Sequence, residues 1–187
     1  MINKMYITQD ETEHEEGKVF DETENGLNKS GFKVKYELKN IDKEKCFDVV
    51  NDVEKYTSFL KIYEKVTVIS DTTEQNKRIR IVRYDINIPF ILRFVFKDLY
   101  YVLKLTSTCK NDTNTMTWEQ VEGPSFLLTN TGIWNVKQLN DNVIINLETS
   151  MIYNFYLPDY LKKYIASHIL NDSMNNIKQR ILFLYNN

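Results

Sequence analysis

The sequence predicts an α+β fold: a curved antiparallel sheet, two short helices after the first strand, and a long C-terminal helix across the sheet. Three observations predict it. A strictly alternating stretch is followed by two short amphipathic segments. About six further strand-like stretches come next, separated by turn-forming residues, and the chain closes on one long segment of helical period.

The first 30 residues contain Asp10, Glu11, Glu13, Glu15, Glu16, Asp21, Glu22 and Glu24 against Lys4, Lys18 and Lys29, a charge of −5. The whole chain carries −2, so the remainder carries +3. An acid-rich stretch without an apolar run is expected to be a solvated, disordered leader covering residues 1–30, or else a regulatory or partner-binding tail, with one folded domain from 31 to 187. In Phe32 to Lys39, Phe32, Val34, Tyr36 and Leu38 alternate with Lys33, Lys35, Glu37 and Lys39, the pattern of a half-buried strand. Asp42 is placed to cap a helix over Lys43 to Asn51, whose Cys46, Phe47, Val49 and Val50 share one side. Asp52 is placed to cap a second, Val53 to Leu60, with Val53, Tyr56, Phe59 and Leu60 on one face.

Strands are then expected at Lys65 to Ile69, Lys77 to Ile86, Leu99 to Thr106, Thr115 to Val121, Thr131 to Leu139 and Asn142 to Tyr153. Turns are expected at Asp71-Thr72-Thr73, Lys110-Asn111-Asp112 and Gly123-Pro124, with a hairpin at Asn140-Asp141. Such short connections favour an antiparallel meander. Pro158 opens the last helix, reaching to about Leu184, with Leu161, Ile165, Ile169, Ile177, Ile181 and Leu184 as its apolar stripe. At 1.5 Å per residue its length, about 40 Å, crosses a whole sheet.

With 187 residues and 42% hydrophobic content, one domain can bury a substantial core. The small net charge argues against nucleic acid as a partner. Two cysteines, Cys46 and Cys109, and two histidines, His14 and His168, offer neither a disulfide framework nor a histidine-rich metal site. No bilayer-spanning run and no secretory signal is present, so a cytoplasmic protein is expected. No nucleophile–base spacing or phosphate-binding glycine loop stands out, so no catalytic residue, metal or cofactor is assigned.

Phe47, Val49, Val50, Asp52, Val53, Tyr56, Phe59 and Leu60 resemble the F-x-V-V-x-D-V-x-x-Y-P-x-F-L pattern of the START-like, or helix-grip, superfamily. The nearest branch in this respect is its polyketide cyclase and coenzyme Q-binding group. Gly123, Pro124 and Phe126, followed by Gly132 and Trp134, resemble that group's G-P-F and G-x-W segments, and Thr57 stands where its proline is usual. The resemblance covers residues 32 to 181. It implies a cavity between sheet and terminal helix, where family members hold sterols, phospholipids, quinones or polyketides. The expected function is therefore binding or carriage of a hydrophobic small molecule, a lipid or isoprenoid quinone. A polyketide or aromatic cyclase, or a ribosome- or protein-interaction module, is the alternative.

Candidate cavity residues are Tyr101, Trp118, Phe126, Trp134 and Tyr153 on the sheet and Leu161, Ile165 and Ile169 on the helix; simple core filling is the plain alternative. Candidate polar anchors are Arg83, Tyr84, Asn154 and His168. Arg83 alternates with Ile79 and Ile81, so it points inward if theirs is the apolar face, or pairs with Asp85 or Glu119 if it reaches solvent. His168 shares a helix face with Asp172, as a cavity group or as a surface histidine. The apolar segment holding Phe90, Ile91, Leu92 and Phe94, beside Arg93 and Lys97, is read either as a lid making transient membrane contact or as packed strand extensions.

Overall fold

Apolar–polar alternation along the strands builds one antiparallel sheet in the computed structural model, which describes residues 4–5, 15–24, 27–87, 99–154 and 173–185. Its strands are β1 (Lys4–Met5), β2 (Glu15–Glu24), β3 (Leu27–Lys39), β4 (Tyr63–Glu74), β5 (Lys77–Ile86), β6 (Tyr100–Cys109), β7 (Thr113–Glu122), β8 (Leu127–Leu139) and β9 (Asn142–Tyr153). Their spatial order is β1-β2-β3-β9-β8-β7-β6-β5-β4. After β3 the chain passes through helix α1 (Lys43–Asn51) and a 3₁₀ turn (Val53–Ser58) to the far edge at β4. It then returns strand by strand to β9, beside β3. The described part of the terminal helix, α2, runs Asn175–Tyr185. This is the expected α+β arrangement of curved sheet, two short helical elements and C-terminal helix.

One face of the sheet holds the core. Leu38, Val136, Val143 and Ile145 lie against Cys46, Val50 and Val53, and Ile177 and Ile181 of α2 pack into the same cluster. All nine are almost without solvent contact. Burying a side chain of this size is worth about 1.5–3 kcal/mol each. Burial also raises the Cys46 thiol pKa to about 12, with the Asp42 and Glu44 charges adding to it.

Several expectations change on contact with the backbone. The acidic leader is not disordered over 15–24 or 27–30: β2 pairs with β3 at ten successive positions, from Glu15↔Tyr36 to Glu24↔Leu27. Acidic composition does not bar backbone pairing near the edge of a sheet. Phe20 lies on Gly31, where a Cβ would stand 2.5 Å from its ring. The first core strand accordingly starts at Leu27 rather than Phe32.

Asp42 has the extended backbone of an N-cap, but its side chain makes no capping bond. Gln138 of β8 substitutes, its Oε1 accepting from Lys43 N at 2.9 Å. The second helix is a 3₁₀ turn that ends at Ser58. Asp71-Thr72-Thr73 is strand, paired with Arg80, Ile79 and Arg78 of β5, and Asp71 adds an ion pair to Arg78 at 2.5 Å. The turn falls instead at Gln75 and Asn76, both with positive φ (47° and 64°), as a two-residue hairpin requires. The Asn140-Asp141 hairpin stands as expected, with Asn140 at φ 54°. Leu184, assigned to the apolar stripe, is 40% exposed.

Candidate functional site

Pleating by twos gives the inner face of the sheet its membership. On β5 that face carries Arg80, Val82 and Tyr84, all buried, and on β6 Leu103, Leu105 and Ser107. Arg83 belongs to the opposite face: its guanidinium pairs with Asp85 at 2.8 Å and lies over the Tyr100 ring at 3.9 Å. The Asp85 carboxylate raises the Arg83 pKa. Of the two readings of Arg83, the pair with Asp85 is the one the structure shows, and its candidacy as an inward polar anchor is corrected. Both frames of β5 contain apolar residues, Ile79 and Ile81 in one, Val82 and Tyr84 in the other. Only pairing with the buried positions of β6 chooses between them.

The inward arginine is Arg80, 2% exposed, which the sequence reading missed. Its Nη1 donates to the Asn51 carbonyl at 2.7 Å, and its Nη2 to Asn51 Oδ1 and to Ser107 Oγ at 3.4 Å. Ser107 Oγ also donates to Asn51 Oδ1 at 2.8 Å. Arg80 thus ties β5 and β6 to the C-terminal end of α1, where the helix dipole favours a cation. Its partners are neutral, and burial foremost, then the Arg78 charge, lowers its pKa.

Beside Arg80 the tyrosines form a ladder of ring contacts. Tyr56 stacks on Tyr63 at 6.1 Å, Tyr63 meets Tyr84 at 5.1 Å, and Tyr84 meets Tyr101 at 5.5 Å. Tyr101 donates its hydroxyl to that of Tyr63 at 3.4 Å, and Tyr56 donates to the Val50 carbonyl. Burial raises the pKa of Tyr84 and Tyr101 well above the ordinary phenol value, so this wall stays neutral.

Further along the same face, Trp118 of β7 folds over Gly132 of β8, its partner in the pairing register. A Cβ on Gly132 would come within 2.1 Å of the indole. Trp118 Nε1 donates to Asn130 Oδ1 at 3.0 Å, and Asn130 is itself 5% exposed. Trp134 and Tyr153 are buried on this face as well, at 6% and 5%. Phe126 is half-buried in the turn before β8, its carbonyl accepting from the Asn154 backbone at 3.0 Å.

The structure thus brings Tyr84, Tyr101, Trp118, Trp134 and Tyr153 to one face and leaves Arg83 off it. Leu161, Ile165, His168 and Ile169, and the segment with Phe90, Ile91, Leu92 and Phe94, lie outside the described residues. Among the described residues no helix is long and apolar enough to cross a membrane, and no His, Cys, Asp and Glu cluster could hold a metal ion. A separate open cleft of about 570 Å³ runs between α1 and the β6–β7 turn. Its Lys43 is occupied by Glu44 at 2.5 Å, the Lys110 carbonyl and Asn114, so it reads as an anchor for α1.

Sheet, crossing helices and inner face together define the START-like helix-grip fold. No protein-family model and no curated protein matches the sequence. Solved structures do match in fold. Human STARD10 superposes with a TM-score of 0.71 at 13% identity, covering 97% of this chain and 73% of its own. A STAR-related lipid transfer protein from Xanthomonas axonopodis gives 0.58 at 11% identity, covering 87% and 98%. The Zhui aromatase/cyclase from Streptomyces sp. R1128 gives 0.56 at 12% identity, covering 83% and 93%.

Proposed function

We propose that this chain binds and carries a hydrophobic small molecule, of the lipid or isoprenoid quinone class, between the inner face of the sheet and the C-terminal helix. The observation that carries the reading is a change of character along that face. At one end α1 packs on β7, β8 and α2, and the filling is mainly aliphatic, with Phe47 and the Lys43 anchor Asn114 among it. Trp118 lies four residues beyond Asn114 on β7, about 13 Å further along the strand. There the wall becomes aromatic and amide-bearing, with Trp118, Asn130, Tyr101 and Tyr153. Apolar walls with a few placed polar groups are how small hydrophobic ligands are held.

Likeness to a lipid transfer protein and to an aromatase/cyclase supports use of this interior and leaves the ligand open. Cyclisation of a bound polyketide is the second reading, supported by the likeness to the Zhui aromatase/cyclase. The chain has two tryptophans, both on the inner face, so titration with phospholipid, quinone and fatty alcohol is read by their fluorescence. Saturable change with at least one class is expected. Unchanged spectra with every class contradict the proposal.

A further inference from the structure

Gln120 of β7 follows Trp118 on the inner face and pairs with Leu103 of β6. Its amide is held by one bond: Nε2 donates to the Leu127 carbonyl at 2.9 Å, in space that Gly123 leaves open, since a Cβ there would lie 2.7 Å from that nitrogen and displace it. The bond to Leu127 also fixes which way the amide faces, since a flipped amide would set oxygen against oxygen. Gln120 Oε1 is consequently an acceptor aimed from a fixed position. It is buried from solvent, and it has no hydrogen-bond partner among the described residues. The neighbouring amide, Asn130, spends its oxygen on Trp118, so the indole presents only its apolar ring.

A buried acceptor left unmatched costs free energy that a donor would recover. A carboxylate or phosphate oxygen would oppose its lone pairs; a hydroxyl would satisfy them. We propose that Gln120 recognises the polar end of the ligand, and that this end is a neutral hydroxyl: the cargo is a lipid alcohol whose hydrocarbon lies along Trp118. This rests on the carrier reading and narrows it. The Leu127 carbonyl positions the Gln120 amide, and Gly132 seats the Trp118 ring.

The test uses tetradecanol, its methyl ether and tetradecanoate as probes, titrated into the full chain by tryptophan fluorescence. The wild type is expected to bind the alcohol at least tenfold tighter than either comparison ligand, the difference a hydrogen bond to a buried partner supports. Gln120→Met, similar in size but without the acceptor, brings the alcohol-to-ether ratio to about one while ether binding persists. Near-UV circular dichroism checks that the variant is folded, and the wild-type ratio decides the matter even if it is not. Equal binding of alcohol and ether by the wild type, or preference for the carboxylate, overturns the assignment of Gln120 and leaves the carrier reading standing. Absence of binding by all three, and by phospholipids and quinones as well, overturns both.

Discussion

Two arginines three positions apart on β5 have opposite fates. Arg80 is buried and bound to Asn51 and Ser107, whereas the Arg83 side chain is 42% exposed beside Asp85. Arg80→Met removes the hydrogen bonds at the α1 terminus and leaves buried acceptors behind, at a cost of about 2–4 kcal/mol. Arg83→Ala gives up an exposed ion pair and a stacking contact on Tyr100, both in water, and its effect on stability is small. Urea unfolding of both variants measures this as a large and a negligible fall in midpoint, with the slope unchanged. The thiols divide in the same way. Cys46 is buried with its pKa pushed up to about 12, and Cys109 is exposed. A thiol reagent at pH 8 is expected to label Cys109 in the native protein and both cysteines after unfolding.

At the scale of elements, strands β7 and β8 make the wall that matters. Gly132→Ala forces the Trp118 indole off its seat, so its bond to Asn130 is lost and the packing is strained by about 1–3 kcal/mol. A shift in tryptophan emission together with a lower urea midpoint is expected; an unchanged spectrum would show that the indole does not rest there. Helix α1 carries Glu44 and Asp48, and its C-cap Asp52 continues their four-residue spacing. Burial, then the Glu44 and Asp52 charges, raises the Asp48 pKa, so its stabilising protonation is complete below the ordinary value of 3.8 and is lost as pH rises through the raised one. Asp48→Asn is expected to raise stability at pH 7 by a few tenths of a kcal/mol, and the gain should vanish near pH 3. Urea midpoints at the two pH values check it.

These elements also show what the sequence could and could not disclose. Alternation at Phe32–Lys39, the period of α1, and the β5, β8 and β9 segments were legible because each has one apolar and one polar side, or a turn residue at its end. The inward frame of β5 was not, since Ile79 and Ile81 mimic a core face and only the partner strand decides. Strand β2 was hidden by its acidic composition, which does not bar pairing near the edge of a sheet. Gln120 and Asn130 were invisible as site residues, because a polar residue in a strand reads as solvent-facing until the register places it inside. Trp118 and Gly132 were each noticed alone; that one rests on the other emerges only from cross-strand pairing.

For the whole molecule, the sheet order carries the functional argument. Closing β3 against β9 and crossing to β4 through α1 puts every inner-face residue on one curved wall, with α2 packed against part of it. The likeness to STARD10 and the Xanthomonas protein covers 97% and 87% of the chain at low identity, so what is shared is the fold. Native mass spectrometry of the purified protein, followed by organic extraction and identification of any released mass, tests the central claim most directly. An adduct that disappears on denaturation and a hydrophobic small molecule in the extract are expected. A clean mass without ligand, unshifted after incubation with lipid alcohols, phospholipids and quinones, would contradict the claim.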